Sequence, residues 1–307
     1  MVMIAEALFM AWAVGANDSA KAVGAAVGSG MIGFKRAVLL IAIFTTLGAV
    51  LGRSAVSTTI TGLAMGMGSS EVSLVLFSAA TAVILASLVG MPISTTQSII
   101  GALVGSSFAL GLPVEWGTVS KIVLAWVISP IVSALLAIAV YKLYRPILRS
   151  IKGLKTLELT QKWIVLLASA YSAFNLGTNE LANVIGLSTS AGFLNPNLFL
   201  ALSMALGTLT FSRKVMMTIG KDITILDPTS AFSSQFGAAL AVTSANLFGL
   251  PVSSGQAIVG AISGLSLYKG ERVNERLLVD IVKSWVRAPL IAGILAYSLI
   301  KLFSAGF

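Results

Sequence analysis

The sequence predicts an all-α membrane protein that crosses the bilayer several times and consists of two inverted-topology repeats. Three observations support this fold class: 57% of the 307 residues are hydrophobic, only 10% are charged, and two polar motifs each occur twice. A typical soluble domain has about 25% charged residues, so this chain could not cover a water-facing surface with polar groups. The apolar runs are continuous rather than alternating with polar residues, which favours helices over a β-barrel.

The composition also excludes several kinds of chemistry. With no Cys and no His, the chain forms no disulfide, no thiolate metal site and no His-based acid–base centre. The formal net charge of +9 would suggest a nucleic-acid partner in a soluble chain, but six of the 20 Lys and Arg residues lie between Lys142 and Lys162. Such a segment is typical of a cytoplasmic linker near anionic lipid, so we predict no nucleic-acid partner.

Two motifs in the first half return in the second half. Residues 15–24, which begin Gly-Ala-Asn-Asp, return as residues 177–186, which begin Gly-Thr-Asn-Glu. Residues 92–105, which begin Pro-Ile-Ser-Thr-Thr-Gln, return as residues 251–264, which begin Pro-Val-Ser-Ser-Gly-Gln. The separations are 162 and 159 residues, so the chain reads as two homologous halves.

Apolar runs between charged residues, Gly and Pro predict the helices of the first half. The runs cover residues 2–27, 36–52, 55–67, 72–89 and 118–144. The first run is interrupted near Gly15 to Ser19, and Gly15 and its counterpart Gly177 are expected to let the helix unwind. This predicts a broken first helix in each half. The segments after Pro92 and Pro251 are short and rich in Ser, Thr and Gly, which predicts a re-entrant hairpin in each half.

The repeat spacing divides the chain into a first transmembrane repeat at 1–145, a basic linker at 146–162 and a second transmembrane repeat at 163–307. Loop charges predict how the repeats are oriented. In three matched pairs of loops, the loop richer in Lys and Arg alternates between the halves; Lys35 and Arg36 follow the first motif, for example, whereas the loop after its second copy has no basic residue. Matched loops therefore lie on opposite sides of the membrane, with the linker in the cytoplasm and both termini outside.

Asp18 and Glu180 are acidic residues inside apolar segments, at the same place in the two repeats. A carboxylate at the bilayer centre costs about 2.5–3.5 kcal/mol, so both residues need a partner or a function. Together with Asn17 and Asn179 they offer oxygen ligands suited to Na+ or a proton. Two alternatives stay open: each acid caps the half-helix that follows it, or Lys21 forms a purely structural ion pair with Asp18.

The duplicated Pro-x-Ser-[Ser/Thr]-x-Gln motif predicts an anion site. Hydroxyl and amide donors, with the backbone N–H groups of a half-helix start, suit an oxyanion. The candidate ligands are Ser94, Thr95, Thr96, Gln97, Ser253, Ser254, Gly255 and Gln256. The alternative is that these Ser and Thr residues only pack between close helices. An anion in a site without His needs co-bound cations, which favours symport.

These motifs resemble those of the inorganic phosphate transporter family. The likeness rests on Gly-Ala-Asn-Asp near the N-terminus, its return in the second half and the paired hairpin motifs, and it covers essentially the whole chain. The resemblance implies a carrier rather than an enzyme, importing inorganic phosphate by alternating access with Na+ in some members and H+ in others. By that analogy the eight hairpin residues hold phosphate and Asp18 also touches it, whereas Asn17, Asp18, Asn179 and Glu180 bind Na+.

The sequence departs from the commoner family pattern at Lys21, where Asn is usual, and at Glu180, where Asp is frequent. Lys21 places a cation near the predicted site, where it could serve phosphate or neutralise Asp18. The family also includes sulfate carriers, so H+ coupling and sulfate stay open beside Na+-coupled phosphate import in the cell membrane. A passive anion channel and an intramembrane hydrolase are two further classes. Phosphate, Na+ and membrane lipid are the predicted partners, and a homodimer stays open.

Overall fold

The protein is helical throughout the computed structural model, which describes residues 2–51, 55–190, 192 and 196–305. The α-helices are α1 (Val2–Asn17), α2 (Ser19–Gly28), α3 (Phe34–Leu51), α4 (Ala55–Leu63), α5 (Ser69–Leu88), α6 (Thr95–Leu110), α7 (Trp116–Arg149), α8 (Leu154–Thr178), α9 (Glu180–Ser190), α10 (Asn197–Met217), α11 (Pro228–Leu247), α12 (Ser254–Lys269) and α13 (Glu275–Ala305). A π-helical turn, Thr218–Asp222, directly follows α10. The predicted all-α class is confirmed. The predicted helix end at residue 52 lies outside the described residues.

Several helices are suited to a lipid environment. Among the described residues, α3, α5, α7, α13 and the combined α10 and π-helical turn are long and apolar enough to cross a membrane. α7 and α13 also expose large apolar side chains along their outer faces, including Leu124, Val127, Ile131, Leu290 and Ile294. Soluble monomers rarely expose contiguous apolar surface of this kind. The chain is therefore a multi-pass membrane protein.

The repeat seen in the sequence is also present in the order of the helices. α5 and α11, α6 and α12, and α7 and α13 form pairs in which the second helix begins 159 residues after the first. α6 and α12 have 16 residues each, fewer than the about 20 that a helical crossing needs. Their length is that expected of the re-entrant segments; their path relative to the bilayer stays a prediction.

The two halves pack against each other reciprocally. α1 crosses α10, and its counterpart α8 crosses α3; α6 lies against α13, and its counterpart α12 lies against α7. Glycines allow the backbones to touch at these crossings. A Cβ atom on Gly15 would lie 1.9 Å from the carbonyl oxygen of Met204, and one on Gly207 would lie 1.9 Å from that of Trp12. Any side chain at either glycine would push α1 and α10 apart.

The expected unwinding at Gly15 and Gly177 is not seen. Gly15 lies inside α1 and Gly177 inside α8, where a Cβ atom would lie 2.3 Å from the carbonyl oxygen of Thr45. Both positions need glycine because the backbone of a neighbouring helix occupies the space of a side chain. The first helix of each half is broken as predicted. The first break falls at Asp18, within the predicted interval of Gly15 to Ser19, and the second falls at Asn179.

The basic linker predicted at 146–162 spans the end of α7 and the start of α8. α7 continues to Arg149 and α8 begins at Leu154, so residues 150–153 alone connect the two halves. Most of the linker's basic residues therefore extend from the ends of two long helices. The side of the membrane on which they lie stays a prediction.

Candidate functional site

The starts of two helices supply the polar centre of the molecule. Ser94 caps α6 by accepting a hydrogen bond from the backbone N–H of Gln97 at 3.1 Å, and Ser253 caps α12 by accepting one from the N–H of Gln256 at 3.2 Å. Both serines are buried. Free N–H groups in the first turn, together with the helix dipole, favour negative charge at such a start. The hydroxyls of Ser94 and Ser253 fix the two helix starts.

The hydroxyl of Thr95 lies between the two buried acids. Thr95 Oγ1 is hydrogen-bonded to the carboxylate of Asp18 and lies 2.8 Å from Oε2 of Glu180. The acids reach this point because each stands at the break of a first helix, one between α1 and α2 and the other at the start of α9. Their exposed fractions are 0% and 1%. A hydroxyl carries one proton, so Thr95 can donate to only one carboxylate at a time.

Glu180 receives hydrogen bonds from uncharged donors. Thr96 Oγ1 donates to Oε2 at 2.7 Å, and Ser254 donates to Oε1 through its hydroxyl at 2.7 Å and its backbone N–H at 3.2 Å. No basic side chain in the described part of the chain forms an ion pair with this carboxylate. A buried carboxylate without an opposite charge is costly, so the arrangement calls for a proton or a cation.

Asp18, by contrast, has a basic partner. Lys21 Nζ forms a buried ion pair with Asp18 and donates a hydrogen bond to the carbonyl oxygen of Ile93 at 2.6 Å. Lys21 is 3% exposed. A Cβ atom on Gly255 would lie 3.2 Å from Nζ, so the absence of a side chain there leaves room for the ammonium group. The ion pair considered from the sequence is present.

The amide of Asn17 is fully used in local hydrogen bonds. Its Nδ2 donates to Ser87 Oγ and to the carbonyl oxygen of Met91, each at 3.0 Å. Its Oδ1 accepts a hydrogen bond from the backbone N–H of Ile93 at 3.2 Å. Asn17 therefore ties the break after α1 to the end of α5 and to the chain that leads into α6.

The asparagines beside Glu180 are bonded differently. Asn179 Nδ2 donates to the carbonyl oxygen of Val252 at 2.8 Å, and Asn183 Nδ2 donates to Thr96 Oγ1 at 3.2 Å. The Oδ1 atoms of Asn179 and Asn183 are buried and have no hydrogen-bond donor among the described residues. Two amide oxygens next to a buried carboxylate form a group of hard ligands.

Two of the predicted phosphate ligands do not contact the acids. The side chains of Gln97 and Gln256 are buried at matching positions in α6 and α12. Within the described ranges the Oε1 atom of each finds no hydrogen-bond donor. The structure thus brings Thr95, Thr96 and Ser254 to the acids, whereas the two glutamines stand at the third position of their helices.

A small cavity of ≈ 20 Å³ borders the site. Its polar lining consists of Lys21, Ser172, Asn175, Gln235 and Ser254. A cavity of this size holds about one water molecule. Because the acids, Thr95 and Thr96 are almost completely buried and Ser254 is only partly exposed, we describe this conformation of the site as occluded.

Comparison with known proteins adds to this geometry. The model of the phosphate transporter family matches residues 14–296. The chain belongs to this family. Among the relatives that it matches, a Methanocaldococcus jannaschii protein named "Putative phosphate permease MJ0630" is 32% identical, with 94% of this chain and 93% of the relative aligned. The "Sulfate permease CysP" of Bacillus subtilis is 31% identical, with 99% of this chain and 88% of the relative aligned.

A solved structure also superimposes on this chain. It is named "The sodium-dependent phosphate transporter" and superimposes with a TM-score of 0.89, covering 100% of this chain and 99% of the other. The two chains are 24% identical. The likeness therefore shows that this member of the phosphate transporter family shares the fold.

Sequence reasoning missed two polar residues near the site of this phosphate transporter family member. Asn183 is the repeat counterpart of Lys21 and lies one turn after Asn179 on α9, so the repeat alignment contained a signal for it. Gln235 donates hydrogen bonds to a backbone carbonyl of α2 and to a serine of α8. Its counterpart in the first half is Leu76, so the repeat offered no signal for Gln235.

Proposed function

We propose that the protein is a secondary active transporter that imports inorganic phosphate together with Na+ by alternating access. The observation that carries the proposal is the buried carboxylate of Glu180, which faces hydroxyl and amide groups from both halves and has no ionised partner among the described residues. Family membership supports phosphate as the substrate, and the name of the matching solved structure supports Na+ as the coupling ion.

The surroundings of Glu180 fit a hard cation. Na+ in broken-helix transporters is held by oxygen atoms, and the oxygens at hand are the carboxylate of Glu180, Thr96 Oγ1 and the Oδ1 atoms of Asn179 and Asn183. A bound cation would give both amide oxygens the partner they lack. Asn179 and Glu180 keep their predicted role as Na+ ligands in this proposal.

Phosphate is proposed to bind at the starts of α6 and α12. The hydroxyls of Thr95, Thr96 and Ser254 stand at these starts, where the helix dipoles and first-turn N–H groups favour an anion. Gln97 and Gln256 would supply side-chain amide N–H donors from the third position of each helix. Donors from both halves would thus surround one oxyanion.

Glu180 provides a physical link between cation and anion. In the occluded conformation its Oε1 accepts hydrogen bonds from the hydroxyl and the N–H of Ser254, which are donors that phosphate would use. Phosphate can accept hydrogen bonds from these donors only when they are no longer bonded to the carboxylate of Glu180. A carboxylate bound to Na+ competes less for them, so cation binding strengthens anion binding, and by linkage the reverse also holds.

Alternating access requires the two halves to move relative to each other around the site. The reciprocal packing of α1 on α10 and α8 on α3 supports two inverted repeats with the site at their interface. The proposal keeps the connection between the halves in the cytoplasm and both termini outside. The same packing must loosen on one side at a time to admit ligands.

Uptake of radiolabelled phosphate into proteoliposomes tests the function. We expect concentrative uptake with an inward Na+ gradient and about 100-fold less uptake for Glu180→Gln, because a coupling-ion ligand is lost. Glu158→Gln, which changes an exposed acid of α8, is the matched control. Uptake driven by an H+ gradient alone would indicate that Glu180 binds a proton instead of Na+. Equilibration without any gradient would refute the carrier in favour of a channel.

Sulfate is the second candidate substrate, because the similar Bacillus subtilis protein is named a sulfate permease. The same proteoliposomes would be given labelled sulfate and labelled phosphate at equal concentrations. Faster sulfate uptake, with phosphate a weak competitor, would replace phosphate by sulfate in the proposal.

A further inference from the structure

The two acids that meet at Thr95 differ in their charge environment. Three residues after each acid the repeats diverge: the first half has a lysine, and the second half has an asparagine. We name the two parts of the site the Asp18 half-site (Asn17, Asp18 and Lys21) and the Glu180 half-site (Asn179, Glu180 and Asn183). One half-site contains a fixed positive charge, and the other contains only uncharged amides beside its carboxylate.

The ammonium group of Lys21 lies where a cation would have to bind to neutralise Asp18. Its Nζ contacts the carboxylate of Asp18 and the backbone oxygen of Ile93, the latter at 2.6 Å. A carboxylate and a freed backbone carbonyl are the ligand types that hold Na+ at a broken helix. The exposed fractions of Lys21 and Asp18 are 3% and 0%, so ions from solvent do not compete for the carboxylate in this conformation.

A second cation has no place in the Asp18 half-site. It would lie beside the ammonium of Lys21 in a medium of low dielectric constant, where like charges repel strongly. It would also compete with the backbone N–H of Ile93 for Asn17 Oδ1. In the Glu180 half-site, by contrast, the Oδ1 atoms of Asn179 and Asn183 have no donor within the described residues.

We propose that Lys21 is a tethered cation that permanently replaces one mobile coupling ion. The protein then carries one cation fewer per phosphate than a site in which both acids bind exchangeable ions, and its one mobile cation binds in the Glu180 half-site. This inference rests on the proposed transport function. Lys21 contributes its charge to every state of the cycle but moves down no gradient, so it raises affinity for the anion without adding driving force.

Equilibrium binding of radioactive Na+ to the purified protein, in detergent and without phosphate, tests the inference. We expect Lys21→Asn to bind one Na+ more per chain than the parent protein, because the variant restores an uncharged amide beside Asp18. In proteoliposomes the Hill coefficient for Na+ activation of phosphate uptake should rise from about 1 to about 2. Lys35→Asn is the matched control: it removes the same charge from an exposed position in α3 and should leave the count unchanged.

Equal Na+ counts for the parent protein and Lys21→Asn would overturn the inference. Two bound Na+ per chain in the parent would overturn it as well, whether or not the variant folds. Lys21→Arg keeps the charge and should keep the parent count; an additional Na+ there would also count against the inference. Failure of the transport proposal looks different, because phosphate uptake would then be absent, or independent of the gradients, while the Na+ counts still differ by one.

Discussion

The interface between α8 and α11, which we call the polar seam, carries polar side chains at five positions where its repeat counterpart between α1 and α5, the apolar seam, has apolar ones. The hydrogen bond from Asn17 to Ser87 lies at the very end of the apolar seam. The polar seam contains side chains that hydrogen-bond between the helices: Ser169, Ser172, Asn175, Gln235 and Thr243. At the repeat spacing, the matching residues of the apolar seam are Ala7, Met10, Ala13, Leu76 and Ile84. The same backbone arrangement therefore carries two kinds of interior.

From this difference we expect one seam to hold its helices together and the other to admit water and ligands. The polar seam supplies Ser172, Asn175 and Gln235 to the ≈ 20 Å³ cavity beside Lys21. Exchangeable hydrogen bonds in a membrane protein contribute only about 0.6 kcal/mol each, so such an interface can separate at low cost. The five matching residues of the apolar seam offer no polar lining for water. We expect the polar seam to open and the apolar seam to hold.

The largest expected effect tests the apolar seam. Met10 has no exposed surface, so Met10→Ala removes buried methylene groups and leaves a cavity. The free energy of unfolding should fall by about 2–5 kcal/mol. Ser172→Ala, at the matching position of the polar seam, should cost about 0.6 kcal/mol. Thermal unfolding in detergent, followed by circular dichroism, measures both, and a larger loss for Ser172→Ala would reverse the assignment.

The next prediction concerns transport through the polar seam. Gln235→Leu installs the residue of the apolar counterpart, Leu76, and removes the hydrogen bonds to α2 and α8. We expect phosphate uptake to fall about tenfold, which corresponds to about 1.4 kcal/mol in the barrier to opening. Leu76→Met, a change that preserves volume in the apolar seam, should leave uptake unchanged. Normal uptake by Gln235→Leu would show that the seam does not open.

α11, one of the two helices of the polar seam, has a charged N-terminal cap that its counterpart α5 lacks. Two backbone N–H groups of α11 donate to Asp227, and Lys269 Nζ lies 2.5 Å from its Oδ2. In the first half the matching residues are Gly68 and Leu110. Burial alone would raise the pKa of Asp227, but hydrogen bonds from Lys269 and Ser230 hold it below its ordinary value of 3.8.

This cap predicts a pH dependence of stability. Because the pKa of Asp227 is lower in the folded state, its contribution is complete above about pH 4 and is lost as the pH falls below that value. Asp227→Asn keeps an amide cap but removes the titration. The unfolding temperatures of the parent and of Asp227→Asn should therefore converge as the pH falls from 5 to 3, about one unit either side of the ordinary Asp pKa. Asp222→Asn changes an exposed acid, and the difference between its unfolding temperature and that of the parent should stay constant over the same pH range.

The smallest expected effect is in the outer part of the polar seam. The hydroxyl of Tyr171 is hydrogen-bonded to Thr243, and its ring lies 5.8 Å from that of Phe236. The repeat counterpart of this ring pair is Phe9 with Phe77, at 6.0 Å. Tyr171→Phe keeps the ring contact, so the loss of unfolding free energy should be about 0.6 kcal/mol. Thermal unfolding measures it, and a loss comparable to that of Met10→Ala would contradict the comparison.

Much of the fold could be predicted from the sequence because lipid imposes simple rules on composition. Continuous apolar runs predicted the helices, and the duplicated motifs predicted the pairs related by 159 residues. The same repeat placed Asp18 and Glu180 at equivalent breaks, and the structure brings both to Thr95. Three of the four predicted Na+ ligands, Asn17, Asp18 and Glu180, already accept hydrogen bonds, which the residue types alone could not show.

The remaining features depend on contacts between distant parts of the chain. A glycine permits unwinding and close packing equally well, so only the backbone of α10 beside Gly15 decides between them. The Ser94 and Ser253 hydroxyls suit an anion or a helix cap, and only the structure shows that each accepts the capping hydrogen bond. The polar seam is formed by residues spaced among apolar neighbours on two helices, and no motif marks which of them will meet.

The reciprocal packing also bears on how the protein is made. α1 packs against α10 and α6 against α13, so early helices have their partners late in the chain. α13 is the last described helix to leave the ribosome, and until then α6 lacks the neighbour that covers it. The first half therefore stays only partly assembled in the membrane while the second half is synthesised, and during this time it can misassemble. A gene divided at codons 150–153 would encode two fragments that assemble when made together and that fail when made alone.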